Sequence, residues 1–328
     1  MREIHCGSVD GVTLAAIVDR HGPTDLLAEP SEPACRIGDI VLARADRVDR
    51  SVGMVFLDVG LARPAVLPLR RGVRADGPLL VQLVGLPREG KGAEATHDIA
   101  LAGRLLVHRP LGSGVAVSSG LPKAATGWIA PPAAGGWIVR RAAAGQSAER
   151  VEAEAAALRS RWQSIADKAE SARAPTVLEA GPGVAERLVL DTPDIDAIRA
   201  GDAVQRRKLG RWLEEKVPEF GGLLAADPID LAETAAPLLD PLVPLPRGGS
   251  LAIETTRALT AIDVDSGGGP DALPANRAAA REIARQIRLR NIGGIVVIDF
   301  ISMGRRVDRL ALMETIRDVF ADDPATPR

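Results

Sequence analysis

The chain has 328 residues, 46 % of them hydrophobic but only 2 % aromatic, with no tyrosine. That length supports two or three packed domains of roughly 100 to 150 residues, with cores built from Val, Leu, Ile and Ala. A formal net charge of −2, from 41 basic against 43 acidic residues, excludes an overall basic surface, so any contact with nucleic acid has to come from local patches.

No segment approaches the roughly 18 consecutive apolar residues of a membrane span, and the start, Met1-Arg2-Glu3-Ile4-His5-Cys6, lacks the apolar run of a signal peptide. A cytoplasmic protein with no membrane partner is expected. Two cysteines, Cys6 and Cys35, lie outside any CxxC pair. They read as small apolar residues in a reducing compartment, and no structural zinc is expected.

Residues 1–36 predict a small β-rich beginning, with Val12, Leu14, Ala16 and Val18 at alternate positions and turns at Gly11 and His21-Gly22-Pro23. Residues 37–107 carry short apolar runs at 40–43, 52–60, 65–69 and 79–84, divided by glycines and charged turns. This is the spacing of a small closed barrel of the OB type. Residues 108–146, rich in Gly, Pro and Ala, predict irregular strands at 114–117 and 136–139. Then Val151, Ala155, Leu158, Trp162, Ile165 and Ala169 recur at intervals of four and three, predicting a helix from Ala148 to Ser171 capped by Ser147.

Between Pro175 and Pro246 the pattern predicts a strand at 187–190 and helices at 195–199 and 228–239. The last block is more regular, with strands at 250–254 and 259–264, a Gly-rich loop at 267–270, and a helix from Asn276 to Arg290 closed by Gly293-Gly294. A strand at 295–300 and a helix at 305–320 follow. Strand, helix and strand in that order make an α/β unit with a parallel pair.

Asp263 and Asp265, two apart in one strand, point to the same face. Asp299 closes the strand Ile295-Val296-Val297-Ile298, at the end where open α/β sheets place their ligands. If the strands are neighbours, three carboxylates converge and repel one another unless a cation sits among them. Oxygen ligands without nearby Cys or His favour Mg²⁺ or Mn²⁺ over zinc. The other reading makes each aspartate a turn or cap residue paired with a nearby arginine. Arg277, Arg281, Arg285 and Arg288 lie along one helix face, either as a phosphate-holding stripe or as a solvated face.

The segments Ala258-Leu259-Thr260-Ala261-Ile262-Asp263-Val264-Asp265-Ser266-Gly267 and, over 284–303, Ala284-Arg285-Gln286 through Asn291-Ile292-Gly293-Gly294-Ile295-Val296-Val297-Ile298-Asp299-Phe300-Ile301-Ser302-Met303 resemble the catalytic core of the ribonuclease E/G family. Ile37-Gly38-Asp39-Ile40-Val41 and Phe56-Leu57-Asp58-Val59-Gly60 resemble its inserted OB-fold domain, and Gly136-Trp137-Ile138-Val139-Arg140 resembles its pocket for an RNA 5′-phosphate. The resemblance spans nearly the whole chain. It implies a mixed α/β (α+β) fold, an RNase H-like and nuclease-type α/β core with the OB barrel and a 5′-phosphate sensor region inserted. The expected domains are 1–36, the N-terminal β segment of the RNase H-like part; 37–107, the OB fold; 108–174, the sensor-like region and helix; 175–246, the remainder of the RNase H-like part; and 247–328, the catalytic α/β domain.

By the same resemblance Asp263 and Asp299 hold a catalytic Mg²⁺, and the reaction is cleavage of single-stranded RNA to 5′-phosphate and 3′-hydroxyl ends in rRNA or mRNA processing. Asp265 completes the catalytic set where the family usually carries Asn, keeping an oxygen ligand and adding charge. Arg140 supplies a bidentate phosphate fork, and Arg141 stands where the family has Thr. Phe56 matches a base-stacking aromatic and Lys91 a basic residue on the RNA path, while Val66 replaces a second aromatic. Phe56 reads equally as core within apolar Val55-Phe56-Leu57. Larger members carry a zinc link and a small dimerisation domain that are not expected here, so a homodimer has no support from a zinc link. The alternative to the nuclease is an RNA-binding protein of the same fold with weak or no nuclease activity.

Overall fold

Asp10 and Gly11 take φ of 48° and 76°, the pair of positive values that a tight hairpin turn requires, and join strand β1 (Arg2–Val9) to β2 (Val12–Asp19). A second turn through Gly22 leads into β3 (Gly22–Pro30). The structure is a computed structural model describing residues 1–69, 77–118, 121–122, 125, 135–245, 248–268 and 271–321. Gly269 and Pro270 of the expected glycine-rich loop, and much of 119–134, lie outside these residues.

Next come β4 (Ile40–Asp49), β5 (Met54–Asp58), β6 (Ala65–Pro68), β7 (Pro78–Gly85) and β8 (Glu94–Thr96). β4 pairs with both β5 and β7, and β8 joins β6 to β7, so five strands close on themselves. Alternate residues point inward, and Val41, Ala43, Val55, Leu57, Leu67, Val81 and Leu83 fill the interior. This is the OB-like barrel that the short, evenly spaced runs predict.

β9 (Leu101–Ala102), β10 (Leu106–Arg109), β11 (Gly114–Val117) and β12 (Gly136–Val139) form a small second sheet. Helix α1 (Ala148–Ser171) covers it, burying Val151, Ala155, Leu158 and Ile165 against Leu105, Leu106, Trp137 and Val139. Ser147 accepts a hydrogen bond from the Arg150 amide at 3.3 Å, the cap expected of it.

The following elements are β13 (Thr176–Glu179), α2 (Val184–Asp191), β14 (Ala197–Ala200), α3 (Ala203–Lys216), β15 (Leu224–Ala225) and α4 (Leu231–Ala235). Two expectations are corrected here. Residues 187–190 are helical, because the Glu186 side chain accepts from the Gly183 amide at 2.8 Å and opens α2, while Leu188 and Val189 are buried. Residues 197–200 are a strand, because they pair in parallel with β1, Ile4 opposite Ile198.

β16 (Leu242–Pro244), β17 (Ser250–Thr255), β18 (Thr260–Asp265), α5 (Ala272–Leu289), β19 (Val296–Asp299) and α6 (Arg306–Val319) complete the chain. The last sheet runs β16-β17-β18-β19, with β19 parallel to β18 as expected of the α/β unit. Helix α5 starts at Ala272, four residues before the position expected, with Pro274 in the first turn where no backbone donor is needed. It ends on Asn291 at φ 51°, not on the glycine pair, and the Ile292 amide closes onto the Ile287 carbonyl at 2.9 Å.

The chain groups into two compact units. One comprises Met1–Ala28, Ala197–Asp202 and Ala225–Arg328, and the other Glu29–Asp196 and Ala203–Leu224. No helix among the described residues is long and apolar enough to cross a membrane. Cys6 and Cys35 are free thiols, and burial pushes Cys6 up to about 12, which keeps it protonated and inert.

Candidate active site and nucleic-acid interface

The carboxylate site grows out of the alternation in β18. Thr260, Ile262 and Val264 are buried, the last two against Ala279 and Ile283 of α5, and the intervening Asp263 and Asp265 are left exposed. The parallel register with β19 sets Asp263 directly opposite Asp299, which is also exposed. All three predicted carboxylates therefore share one open face of the last sheet. Among the described residues neither Asp263 nor Asp299 has a basic partner, whereas Arg305 close by pairs with Asp308 at 3.6 Å.

The three do not gather into one ligand set. Among the described residues no group of three or more His, Cys, Asp or Glu side chains is placed to hold a metal ion. Asp265 accepts a hydrogen bond from the Gly267 amide at 3.1 Å, which uses one of its oxygens to form the turn after β18. The donors that remain are two cross-strand carboxylates. Such a set fits a hard divalent cation that keeps most of its water, as Mg²⁺ does, and does not fit zinc held by four protein ligands.

Two residues that sequence reasoning missed shape this site. Asn276, fully buried in α5, donates to the Ile301 carbonyl at 2.8 Å and accepts from the Ile301 amide at 3.0 Å. This two-way clamp fixes the backbone two residues beyond Asp299. Gly249, at φ 84°, lets the start of β17 approach the Asp265 carbonyl so closely that an added Cβ would lie 2.1 Å from it. The only hint of the first was a polar side chain on a helix face that is mostly apolar.

The α5 arginines divide. Arg285 donates to the Pro23 carbonyl at 3.2 Å and pairs with Glu282 at 2.8 Å, and Arg288 lies 3.9 Å from Asp25. Both brace α5 against the first sheet of their own unit. Arg281 is exposed, with one 3.3 Å bond to the Arg277 carbonyl. It is the exposed member of the stripe, whereas Arg277, Arg285 and Arg288 are half-buried.

In the other unit, Phe56 is half-buried on the outside of the barrel, opposite Arg47 of β4 and Val66 of β6. The Arg47 guanidinium carbon lies 4.3 Å from the Phe56 ring centroid, in cation–π contact. Lys91 is exposed in a tight turn closed by its backbone bonds to Arg88, at 3.1 and 2.9 Å. Beside it Gly92 passes so near Pro64 that a Cβ would sit 1.8 Å from the Pro64 carbonyl oxygen.

Arg140, just past β12, donates to the Gly103 carbonyl at 2.8 Å and is ion-paired with Asp191. Its guanidinium fork is therefore engaged by protein oxygens on two sides. Its neighbour Arg104 is buried, stacks 4.3 Å over Phe220 and donates to the Val189 and Thr192 carbonyls at 2.7 Å each, capping the end of α2. Burial lowers Arg104 to about 10, still well above neutrality, so it stays charged. Arg141 is exposed at the start of a short 3₁₀ turn.

Comparison with known proteins bears directly on these features. A sequence profile of the Ribonuclease E/G family matches residues 100–328. Ribonuclease E of Nostoc sp. (strain PCC 7120) is 32 % identical over 89 % of the chain and 49 % of its own length. Ribonuclease E of Synechocystis sp. (strain PCC 6803) is 29 % identical over 89 % and 50 %, and Ribonuclease G of Escherichia coli (strain K12) is 27 % identical over 88 % and 68 %. A mixed α/β fold with a closed five-stranded barrel, matched at this level over most of its length, places the chain in the Ribonuclease E/G family. It spans about half the length of the two ribonuclease E relatives.

Proposed function

We propose that this chain is a Mg²⁺-dependent endoribonuclease that cuts single-stranded RNA and leaves 5′-phosphate and 3′-hydroxyl ends, acting in rRNA or mRNA processing. The observation that carries the reading is the direct cross-strand placement of two unpaired carboxylates, Asp263 and Asp299, on an exposed sheet face. The two would hold the metal, with Mn²⁺ as an acceptable substitute. Bound there, a divalent cation supplies a Lewis acid for the phosphoryl oxygen and lowers the pKa of a water.

The chain's own residues do the rest. Asn276 keeps the segment after Asp299 from moving, and the Asp265 turn holds the loop at the end of β18. Asp265 adds negative charge beside the pair, which attracts the cation. Phe56 and Lys91 bind the RNA strand by stacking and by charge, and Arg281 supplies a phosphate contact near the carboxylates. Arg140 and Arg141 receive a 5′-monophosphate, which at Arg140 has to displace Asp191.

The test is cleavage of a 5′-monophosphorylated single-stranded oligonucleotide in Mg²⁺ by the wild type and by Asp263→Ala and Asp299→Ala. Each substitution is expected to lower the rate by at least about 100-fold, the scale on which transition-state charge stabilisation is lost. Equal cutting by all three would remove Asp263 and Asp299 from the reaction, and binding without cutting by all three would leave only an RNA-binding protein.

A further inference from the structure

We propose that Arg47 is an RNA-contacting residue, and that its guanidinium and the Phe56 ring together form a composite stacking platform for one unpaired nucleobase. The proposal rests on the reading of the barrel as the RNA-binding part of the chain, and it adds a residue that the reading lacks.

The observation behind it is an irregularity in the barrel. β4 and β5 pair with Arg44 opposite Asp58 and Ala45 opposite Leu57, and then the register shifts between Ala45 and Arg47. Unbroken pairing would put Asp46 opposite Phe56. The bulge adds a residue to β4, so Arg47 stands there instead. Bulges of this kind interrupt the ladder and re-aim a side chain. Here the effect is to replace an acid with a base beside the barrel's outward-facing aromatic ring.

The two arginines of this strand have different fates. Arg44 is held by Asp58 at 2.7 Å, so its charge is locally balanced. Arg47 is exposed, and among the described residues it has no hydrogen bond or ion pair; the ring lies 4.3 Å away, and its charge also acts more weakly on Asp49 of the same strand. A guanidinium laid against an aromatic ring keeps its five N–H donors at its edge, where they can reach a phosphate or a base edge. The ring and the guanidinium plane both accept a stacked base. An unpaired nucleobase with its own phosphate satisfies all of these groups at once. A duplex, whose bases are already stacked, does not.

This platform also offers a physical answer to the single aromatic on the barrel face. Val66, cross-strand from Phe56 on the other side, has no π surface, and Arg47 supplies one from β4.

The experiment titrates the full-length chain, without Mg²⁺, against a short fluorescent oligouridine and against an abasic strand of the same length, at several salt concentrations. Arg47→Ala is expected to weaken oligouridine binding about tenfold, within the worth of one stacked base, and to affect the abasic strand much less. Arg47→Lys should restore the salt dependence but not the affinity, because it returns the charge without the plane. Phe56→Ala should weaken binding similarly, and the double variant should be little worse than either single one.

Full rescue by Arg47→Lys, or equal losses on both strands, would overturn the platform in favour of a simple charge contact. Arg47→Ala within twofold of wild type, with Phe56→Ala clearly weakened, would overturn the proposal and leave the barrel reading intact. If neither substitution changes affinity while the chain still binds, the barrel reading itself falls. Unfolding curves of the variants accompany the titrations, and the abasic comparison reads stacking even if a variant is less stable.

Discussion

His5 sits in the middle of β1, almost wholly buried, and its ring makes two polar contacts that fix the first sheet. Its Nδ1 accepts the Ile229 amide at 2.9 Å, and its Nε2 lies 3.0 Å from Glu3, which also binds Arg199 at 2.7 Å. Accepting at Nδ1 requires the neutral ring, and burial lowers the His5 pKa below its ordinary value of 6.5. A base whose folded pKa is depressed contributes stability that is present above the unfolded value and is lost as pH falls through the folded one. Melting temperature is therefore expected to drop as pH is lowered from 7 to 5. Half-buried Glu154 and Glu186, whose pKa values are raised by desolvation, work in the opposite direction, and His108 works in the same direction as His5. The informative comparison is His5→Asn, whose Oδ1 stands where Nδ1 does and can accept from Ile229, and which takes up no proton. A drop as steep in that variant as in the wild type would dismiss His5 as its source.

At the scale of elements, what was legible in the sequence was whatever local periodicity or spacing decides. Helix α1 follows its stripe of Val151, Ala155, Leu158 and Ile165, and the barrel follows its short runs. The candidate site was legible in part: the alternation that exposes Asp263 and Asp265 is local, and so is the position of Asp299 at a strand end. Elements decided by distant partners were not legible. Strand β14 exists through its pairing with β1, almost two hundred residues earlier in sequence, and its own four residues also fit a helix. Helix α3 buries only Leu209 and Leu213, too narrow a stripe to register, with Gly210 between them. The bulge that brings Arg47 to Phe56 depends on a register, which no single strand reveals.

The Asn276 clamp is the long-range feature with the clearest consequence for an element. Asn276→Ala would leave the Ile301 amide and carbonyl without their partner, a loss of about 1–3 kcal/mol for each buried group left unsatisfied. Urea unfolding should report that destabilisation. Because the clamp acts two residues from Asp299, cleavage by this variant is expected to need more Mg²⁺ than wild type, read as a shifted midpoint in a Mg²⁺ titration. An unchanged midpoint would confine Asn276 to a stabilising part.

At the scale of the whole molecule, the unit that holds the carboxylates is built from three separate stretches of chain. One of its hydrophobic clusters joins Leu14, Ala16 and Leu26 of the first hairpins to Leu231 and Leu289. A fragment covering only 225–328 keeps Asp263 and Asp299 but loses the wall formed by β2 and β3. Such a fragment is expected to melt without a cooperative transition, as followed by circular dichroism. A sharp transition would mean that the last sheet and its helices fold unaided.

The same interleaving imposes an order in time. Every residue of the barrel-containing unit has been synthesised by Leu224, whereas Leu14 and Leu26 wait for Leu289, some two hundred and sixty residues further on. During translation, the barrel-containing unit can be complete while the first hairpins still lack their cover. On the proposed reading, the nascent chain would acquire the means to hold RNA before it acquires the means to cut it.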